Sequence, residues 1–166
     1  MQDGAGRGGP DCLVGETLVA TARGLVSLEL LQKMAAAGDE LPEVLSFSRR
    51  IERWVLRQIN GAWMAGLTDR LLEVRIAGGP TLWCTPQHSF LTCEVGWAQA
   101  RELRPGVSVM GIARSRVEGV EHLDLGDAVP VYDLEVEGTH NFAVTSEGSD
   151  RAHPVVVHNS RRPAGP

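Results

Sequence analysis

Short runs in which apolar and polar residues alternate recur along most of the chain, and most end at a glycine, a proline or another turn-forming residue. Alternation with a period of two is typical of a β-strand with one buried face. Turn signals at residues 21–24 and 77–80 predict two hairpins. The predicted strands are Thr17–Ala20, Leu25–Ser27, Val44–Phe47, Arg70–Ile76, Thr81–Thr85, Ser89–Cys93, Val107–Ile112, Val131–Val136, Asn141–Thr145 and Val155–Val157.

Helical signals are few. Ser27 suits an N-cap, Glu29 falls in the first turn, where the helix dipole favours a carboxylate, and the apolar run that follows stops at Gly38. Residues 97–103 predict one or two further helical turns. The polar stretch 113–129 contains two glycines and predicts a loop with weak strands. The fold class is therefore all-β, a single compact domain with one or two short helices.

The composition fits a globular protein that works in water. The chain has 166 residues, of which 43% are hydrophobic and 22% are charged. No apolar run approaches the roughly 18 residues of a membrane span, and the N-terminus lacks the apolar core of a signal peptide. The net charge of −5 argues against nucleic acid as the main partner. Three cysteines without framework spacing suit a reducing compartment, so we expect a cytoplasmic protein. We also expect a monomer.

Both ends of the chain differ from the patterned region between them. The first ten residues, MQDGAGRGGP, and the last six, RRPAGP, are rich in glycine and proline and add little to a core. Cys12 lies where the first of these segments gives way to patterned sequence. A lone cysteine is usually a small buried hydrophobic residue, and a position at the edge of the folded region also suits a reactive thiol.

Three internal residues are candidates for proton transfer or polarisation. Thr85 and His88 lie three positions apart after a strand, and Pro86 forces Thr85 into an extended conformation. They form either a simple turn or a hydroxyl and an imidazole that act on one peptide group. Asp133 interrupts an alternating strand, where aspartate is disfavoured, so it lies either on an exposed polar face or in a site.

The C-terminal residues His158, Asn159 and Ser160 follow an apolar strand and carry a specific reactivity. The side-chain nitrogen of an asparagine can attack its own backbone carbonyl, which closes a succinimide and cleaves the following peptide bond. An adjacent imidazole supplies the proton transfer, and the Ser160 hydroxyl is a nucleophile. His140, which follows a turn, is a further imidazole. A chain with this layout can act on its own two boundary peptide bonds.

The ordered motifs resemble those of the intein family and its relatives in the Hint (hedgehog–intein) superfamily, including bacterial intein-like domains. The resemblance covers Cys12 to Ser160, without a homing-endonuclease segment. The matching segments are Cys12–Thr17, Thr85–His88 with Ser89–Thr92, Gly96–Trp97 with Leu103–Gly106, Val131–Val136 through His140–Phe142, and Val156–Ser160.

The resemblance implies a β-horseshoe fold and a domain organisation. Residues 12–159 would form the splicing domain, and residues 1–11 and 160–166 would be the flanking segments on which it acts. The activity would be single-turnover self-processing without a cofactor, and the flanks would be its own substrate.

The resemblance also implies a role for each candidate residue. Cys12 would attack the preceding carbonyl to form a thioester, with His88 protonating the departing nitrogen and Thr85 polarising the peptide. Ser160 would take over the acyl group, a transfer that Asp133 would coordinate. Asn159 would then cyclise with help from His158 and His140, and the flanks would be joined.

Other functions remain open at this point. Asp11 could favour hydrolysis of the thioester, which gives cleavage without ligation, as in bacterial intein-like domains. A hedgehog-type domain, a cysteine hydrolase using Cys12 and His88, and a non-catalytic β-domain are further alternatives. Cys84, His88 and Cys93 could form part of a zinc site, although no fourth ligand lies nearby. Either Cys84 or Cys93 could also pair with Cys12 in an inhibitory disulfide.

Overall fold

The computed structural model describes residues 12–148 and 153–159, and these residues form one antiparallel sheet of thirteen strands. They also contain the α-helix α1 (Leu28–Ala36) and a 3₁₀ helix (Ala100–Glu102). The strands are β1 (Leu13–Val14), β2 (Leu18–Thr21), β3 (Gly24–Ser27), β4 (Val44–Ser48), β5 (Arg53–Arg57), β6 (Ile59–Ile76), β7 (Thr81–Cys84), β8 (Ser89–Thr92), β9 (Gly96–Gln99), β10 (Ser108–Val109), β11 (Ser115–Val136), β12 (Asn141–Thr145) and β13 (Val155–His158). The all-β class predicted from the sequence is confirmed.

The strands follow the order β1-β7-β6-β11-β10-β8-β13-β12-β2-β4-β5, with β3 beside β2 and β9 beside β8. The first strand, β1, also pairs with β11. The four strands β1, β7, β6 and β11 therefore close on themselves. This closure holds the beginning of the described chain between two strands that are distant in sequence.

The prediction of a loop over residues 113–129 is wrong, because this stretch lies in the 22-residue strand β11. That strand pairs with β6 from Val117 to Val136, and most of residues 118–128 are solvent-exposed. A strand exposed on both faces shows no apolar alternation, so its pattern is that of a loop. Strand β5 and the first half of β6, most of whose residues are half-buried, were not predicted from the sequence either.

The two glycines of that stretch fit the strand rather than interrupt it. A Cβ atom at Gly119 would meet the guanidinium of Arg75 on β6, the end of a flexible side chain that would have to move aside. Gly126 has a φ of +82° and lies in an irregularity of the ladder between Asp124 and Val129. Each glycine therefore has a local steric reason within the β6–β11 pair.

The region around α1 confirms the predicted hairpin and cap. Strands β2 and β3 pair across a turn at residues 22–23, and the Ser27 hydroxyl accepts a hydrogen bond from the Leu30 amide at 3.1 Å. The predicted helical turns at 97–103 are only partly present, because β9 precedes the 3₁₀ helix. No helix in the ranges 12–148 and 153–159 is long and apolar enough to span a bilayer.

The main core lies between the strands and α1. Its fully buried residues include Phe90, Leu134 and Phe142 on three different strands, together with Leu31 of the helix. A second, smaller cluster contains four buried residues close to the N-terminal end of the described chain: Cys12, Val14, Leu71 and Val131. The core therefore ties both ends of the described chain to the sheet.

Replacing Phe142 with alanine tests this assignment. Because the side chain is fully buried, F142A should lower the free energy of unfolding by about 3–5 kcal/mol. L25A is the matched control, since Leu25 is 53% exposed, and it should stay close to the parent. Urea unfolding followed by tryptophan fluorescence measures both, and equal losses in the two variants would contradict the assignment.

Candidate functional site

Cys12 directly precedes β1, the strand between β7 and β11, and is fully buried. Leu13 pairs with Cys84 on one side and with Tyr132 on the other. Extending these two registers by one residue sets Cys12 opposite Thr85 and opposite Asp133. Directly opposed residues in antiparallel strands share a face of the sheet. Three of the predicted site residues therefore come together on one face.

Thr85 contacts the backbone of Cys12 on both sides. The Cys12 amide donates to the Thr85 hydroxyl oxygen at 3.2 Å. The Thr85 amide donates to the Cys12 carbonyl at 3.0 Å, and the Thr85 hydroxyl lies 3.4 Å from the same carbonyl. The hydroxyl thus touches the nitrogen of the peptide bond that precedes Cys12.

His88 is held on the same turn. Its amide donates to the Thr85 carbonyl at 3.0 Å, and its own carbonyl accepts from the Ala100 amide at 2.7 Å. The imidazole is fully buried and meets Phe90 edge to face, with ring centroids 5.5 Å apart. Phe90 pairs with Val157 on β13. The strand that follows His88 therefore lies beside the strand that leads to Asn159.

Asp133 is only 2% exposed, so the interpretation as an exposed polar-face residue is wrong. Its Oδ1 accepts from the Leu134 amide at 2.8 Å, and its position in β11 lies opposite Trp63. The preceding residue, Tyr132, packs close to Gly15, where an added Cβ would lie 2.8 Å from the ring. Burial first, and then Glu29 and Glu16, raise the pKa of the Tyr132 phenol.

Asn159 is fully buried and is held by two backbone groups. Its amide donates to the His140 carbonyl at 3.0 Å. Its side-chain oxygen Oδ1 accepts from the Val136 amide at 3.2 Å. Val136 lies three residues after Asp133 on β11, so a single strand end holds residues from both boundaries of the folded region.

The other two candidate histidines, His140 and His158, lie next to Asn159. His140 adopts a φ of +57°, which is uncommon for a residue with a side chain. His158 ends β13, lies opposite Asn141, and meets Trp97 edge to face with ring centroids 4.8 Å apart. A cleft of about 390 Å³ opens nearby, lined by Phe47, Ser48, Arg49, Arg50, Arg57, Trp97, Gly138, Thr139 and Asn141.

Asn141 is a buried polar residue that the sequence analysis did not select. Its amide makes four hydrogen bonds, to the Ser46 hydroxyl, to both backbone groups of Phe47 and to the Thr139 carbonyl. The available signal was an asparagine at the first position of an otherwise apolar strand. That pattern is too common at strand ends to single the residue out.

The remaining cysteines do not join this site. Cys84 pairs with Leu13 and belongs to the main core cluster, whereas Cys12 belongs to the small one. Cys12, Cys84 and Cys93 form no disulfide with one another, so the disulfide alternative is absent from this structure. Within residues 12–148 and 153–159 no group of three histidine, cysteine or acidic side chains is arranged to hold a metal ion. Asp11 and Ser160 lie outside the described residues.

Comparison with solved structures identifies the fold. The DnaB intein from Synechocystis sp. PCC 6803 has a TM-score of 0.74 at 20% identity, over 90% of this chain and 99% of that one. A bacterial intein-like domain from Clostridium thermocellum has a TM-score of 0.75 at 26% identity, with the same coverage. The DnaX mini intein from Spirulina platensis has a TM-score of 0.69 at 25% identity, over 90% of this chain and all of that one.

Sequence comparison alone gives a more limited result. No protein-family model matches the chain. Protein RecA from Mycobacterium tuberculosis (strain ATCC 25618 / H37Rv) is 38% identical over 71 residues, which is 42% of this chain. The match covers only 8% of that relative's length. It is therefore a local similarity between part of this chain and a small part of a longer protein.

The burial of the cysteines predicts their accessibility. Cys12 and Cys84 are fully buried and Cys93 is partly exposed, so a maleimide should label Cys93 well before the other two. Peptide mass spectrometry of briefly labelled native protein measures the order, and labelling in denaturant provides the control. Rapid labelling of Cys12 in the native protein would contradict its buried position.

Proposed function

Because the chain has the Hint fold of inteins and bacterial intein-like domains, we propose that it is a self-processing domain that splices its own backbone. In this proposal residues 12–159 excise themselves, and the segments 1–11 and 160–166 are the substrate. Each molecule acts once, on two peptide bonds of its own chain.

The observation that carries the proposal is that Cys12 and Asn159 both lie beside the last part of β11. Cys12 precedes the pair Leu13–Tyr132, and the Asn159 side chain accepts from the Val136 amide. Asp133 and Val136 are three residues apart, which is about 10 Å along a strand. Cys12 and Asn159, near the two ends of the described chain, therefore lie close to the same strand end, which supports the proposed acyl transfer.

The first step is an acyl shift from nitrogen to sulfur at Cys12. The thiol sulfur bonds to the carbonyl carbon of the preceding residue, the C–N bond breaks, and the thiol proton ends on the new Cys12 amine. The thioester is uphill from the amide, so the site must hold the reactants close and supply a proton. Fixed proximity is worth up to about 7–11 kcal/mol in favourable cases. The hydrogen bonds of Thr85 to both sides of Cys12 support its role in polarising the peptide.

His88 is the proposed donor of the proton to the departing nitrogen. It lies one turn after Thr85 and is fully buried. Because the effective dielectric constant is lower away from water, its electrostatic interaction with the reacting group would be stronger there. Asp133, on the same face as Cys12, is the proposed residue that assists transfer of the acyl group to the Ser160 hydroxyl. That transfer breaks the thioester, regenerates the Cys12 thiol and forms an ester at Ser160.

The C-terminal step is the cyclisation of Asn159. Its side-chain nitrogen attacks its own backbone carbonyl, the bond to Ser160 breaks, and Ser160 gains a free amine. The Val136 amide holds the side-chain oxygen of Asn159, which restricts the rotation of the reacting amide group. His158 and His140 are the proposed proton carriers. The ester then rearranges to an amide, which joins the two flanks.

Cleavage without ligation is the second candidate function. The similarity to the bacterial intein-like domain, at 26% identity, favours it. An aspartate directly before Cys12 would also assist hydrolysis of the thioester. The two outcomes share thioester formation at Cys12 and cyclisation of Asn159; cleavage replaces the transfer to Ser160 and the final rearrangement with hydrolysis of the thioester.

The two boundary residues give the direct test. C12A should abolish cleavage before residue 12, because the proposed thioester forms on the Cys12 sulfur. The C-terminal cut, which Asn159 makes, should still be possible. N159A should abolish the C-terminal cut. Intact-mass analysis of a freshly expressed chain with extended flanks measures both and distinguishes joined from separate flanks.

C93A and N60A are the controls, since Cys93 is partly exposed, Asn60 is exposed on β6, and neither is a candidate residue of the site. Both should process as the parent does. If C12A and N159A yield the same products as the parent, or if the parent chain stays whole, the proposed function is wrong.

His88 has its own test. H88A should slow thiol-induced cleavage before residue 12 by about 10² or more, the range of general acid catalysis. The exposed His122 provides the control variant, H122A, which should keep the parent's rate. Unchanged N-terminal cleavage in H88A would remove His88 from the mechanism.

A further inference from the structure

We infer that Asn141 is a positioning residue for the C-terminal cleavage and that it acts through the backbone of His140. The inference rests on the proposed function and deepens it, because it assigns a role to a residue that touches neither scissile bond. The Asn141 amide is hydrogen-bonded to groups of Ser46, Phe47 and Thr139. The residue after Thr139, His140, accepts a hydrogen bond from the Asn159 amide through its carbonyl.

The side chain of Asn141 is fixed to β4. Its oxygen Oδ1 accepts from the Phe47 amide at 2.9 Å, and its nitrogen Nδ2 donates to the Phe47 carbonyl at 2.9 Å. This pair of bonds imitates the pairing of a strand residue, at a position where the side chain is only 2% exposed. The Ser46 hydroxyl lies 2.8 Å from Oδ1 and also contacts the Asn141 carbonyl at 2.8 Å.

The second hydrogen of Nδ2 reaches the residue before His140. It donates to the Thr139 carbonyl at 3.2 Å, so one side chain bridges β4 and the backbone on the far side of His140. His140 has a φ of +57°. A residue with a Cβ disfavours this conformation by about 1 kcal/mol or more and keeps it only where the surroundings impose it. The Asn141 bridge is such a restraint.

The strained residue in turn orients Asn159. The His140 carbonyl accepts from the Asn159 amide at 3.0 Å, while the Val136 amide holds the Asn159 side-chain oxygen. Cyclisation requires the side-chain nitrogen to approach the backbone carbonyl of the same residue. A displacement of about 1 Å in such a geometry can cost about 10²-fold in rate. Releasing His140 would therefore slow the C-terminal step.

An asparagine is required because the site uses both halves of the amide. An aspartate has the same shape and could still accept from Phe47 and Ser46. It could not donate to the two carbonyls of Phe47 and Thr139, and its charge would repel them. The isosteric change from Asn to Asp thus removes the donor function and adds a buried negative charge beside the two carbonyls.

The experiment uses the full chain with its flanks. N141D should slow C-terminal cleavage by about 10-fold or more, while thiol-induced cleavage before residue 12 should stay within about twofold of the parent. N60D, at an exposed position on β6, is the matched control and should leave both rates unchanged. Intact-mass time courses give both rates from the same molecules.

A purely structural role would slow both cuts, so a second readout separates the two explanations. In a C12A/N159A background, which cannot process itself, N141D should accelerate hydrogen exchange of the residue 159 amide more than that of the Thr85 amide. If N141D fails to fold, S46A removes the hydroxyl that contacts Oδ1 and the carbonyl of Asn141 and the Thr139 hydroxyl, while it leaves the bonds of Asn141 to Phe47 in place. It should change both readouts in the same direction by a smaller amount.

The outcomes identify which idea fails. If the parent cleaves and N141D slows both ends equally or neither, the positioning role is wrong and the proposed function stands. If the parent cleaves at neither end, the proposed function fails, and the exchange measurement alone decides whether Asn141 orders residue 159. Equal acceleration of the two amides would contradict the positioning role in either case.

Discussion

The last part of β11 is the constraint on which the rest of the site depends. Its residues from Val131 to Val136 pair with β1 at one end and donate to the Asn159 side chain at the other. A strand is a rigid spacer of about 3.3 Å per residue, so these contacts fix the separation of the two boundary residues. The closure of β1, β7, β6 and β11 then leaves Cys12 little freedom to move relative to Asp133.

The two halves of the site use different physical means to prepare a reaction. Around Cys12, the Thr85 hydroxyl already accepts from the nitrogen of the peptide that would react, and the Thr85 amide holds the Cys12 carbonyl, in a buried region. Around Asn159, backbone hydrogen bonds hold both the amide and the side-chain oxygen, and the strained His140 connects them to the Asn141 bridge. Preorganised groups of this kind need no reorganisation when charge develops in a transition state. Such electrostatic stabilisation is usually the largest single contribution to the rate enhancement of an enzyme over the reaction in water.

Much of the fold was predictable, because strands such as Val131–Val136 carry a clear alternation of residue types in the sequence. The long β6–β11 arm was not, because its exposed part has no buried face to mark it. The site residues were chosen by their chemistry and order, but their convergence depends on the register of β1, which only the tertiary structure fixes. Asn141 escaped notice because its importance comes from partners on β4, remote in sequence, and no local pattern encodes such a contact.

The central claim is that one strand end holds both boundaries of the folded domain. Nuclear Overhauser measurements on the unprocessed C12A/N159Q chain test it directly. We expect contacts from Leu13 to Tyr132 and from the Val136 amide to the side chain of residue 159 in the same spectrum. The presence of only one of these contacts, with the other boundary residue remote from β11, would contradict the account.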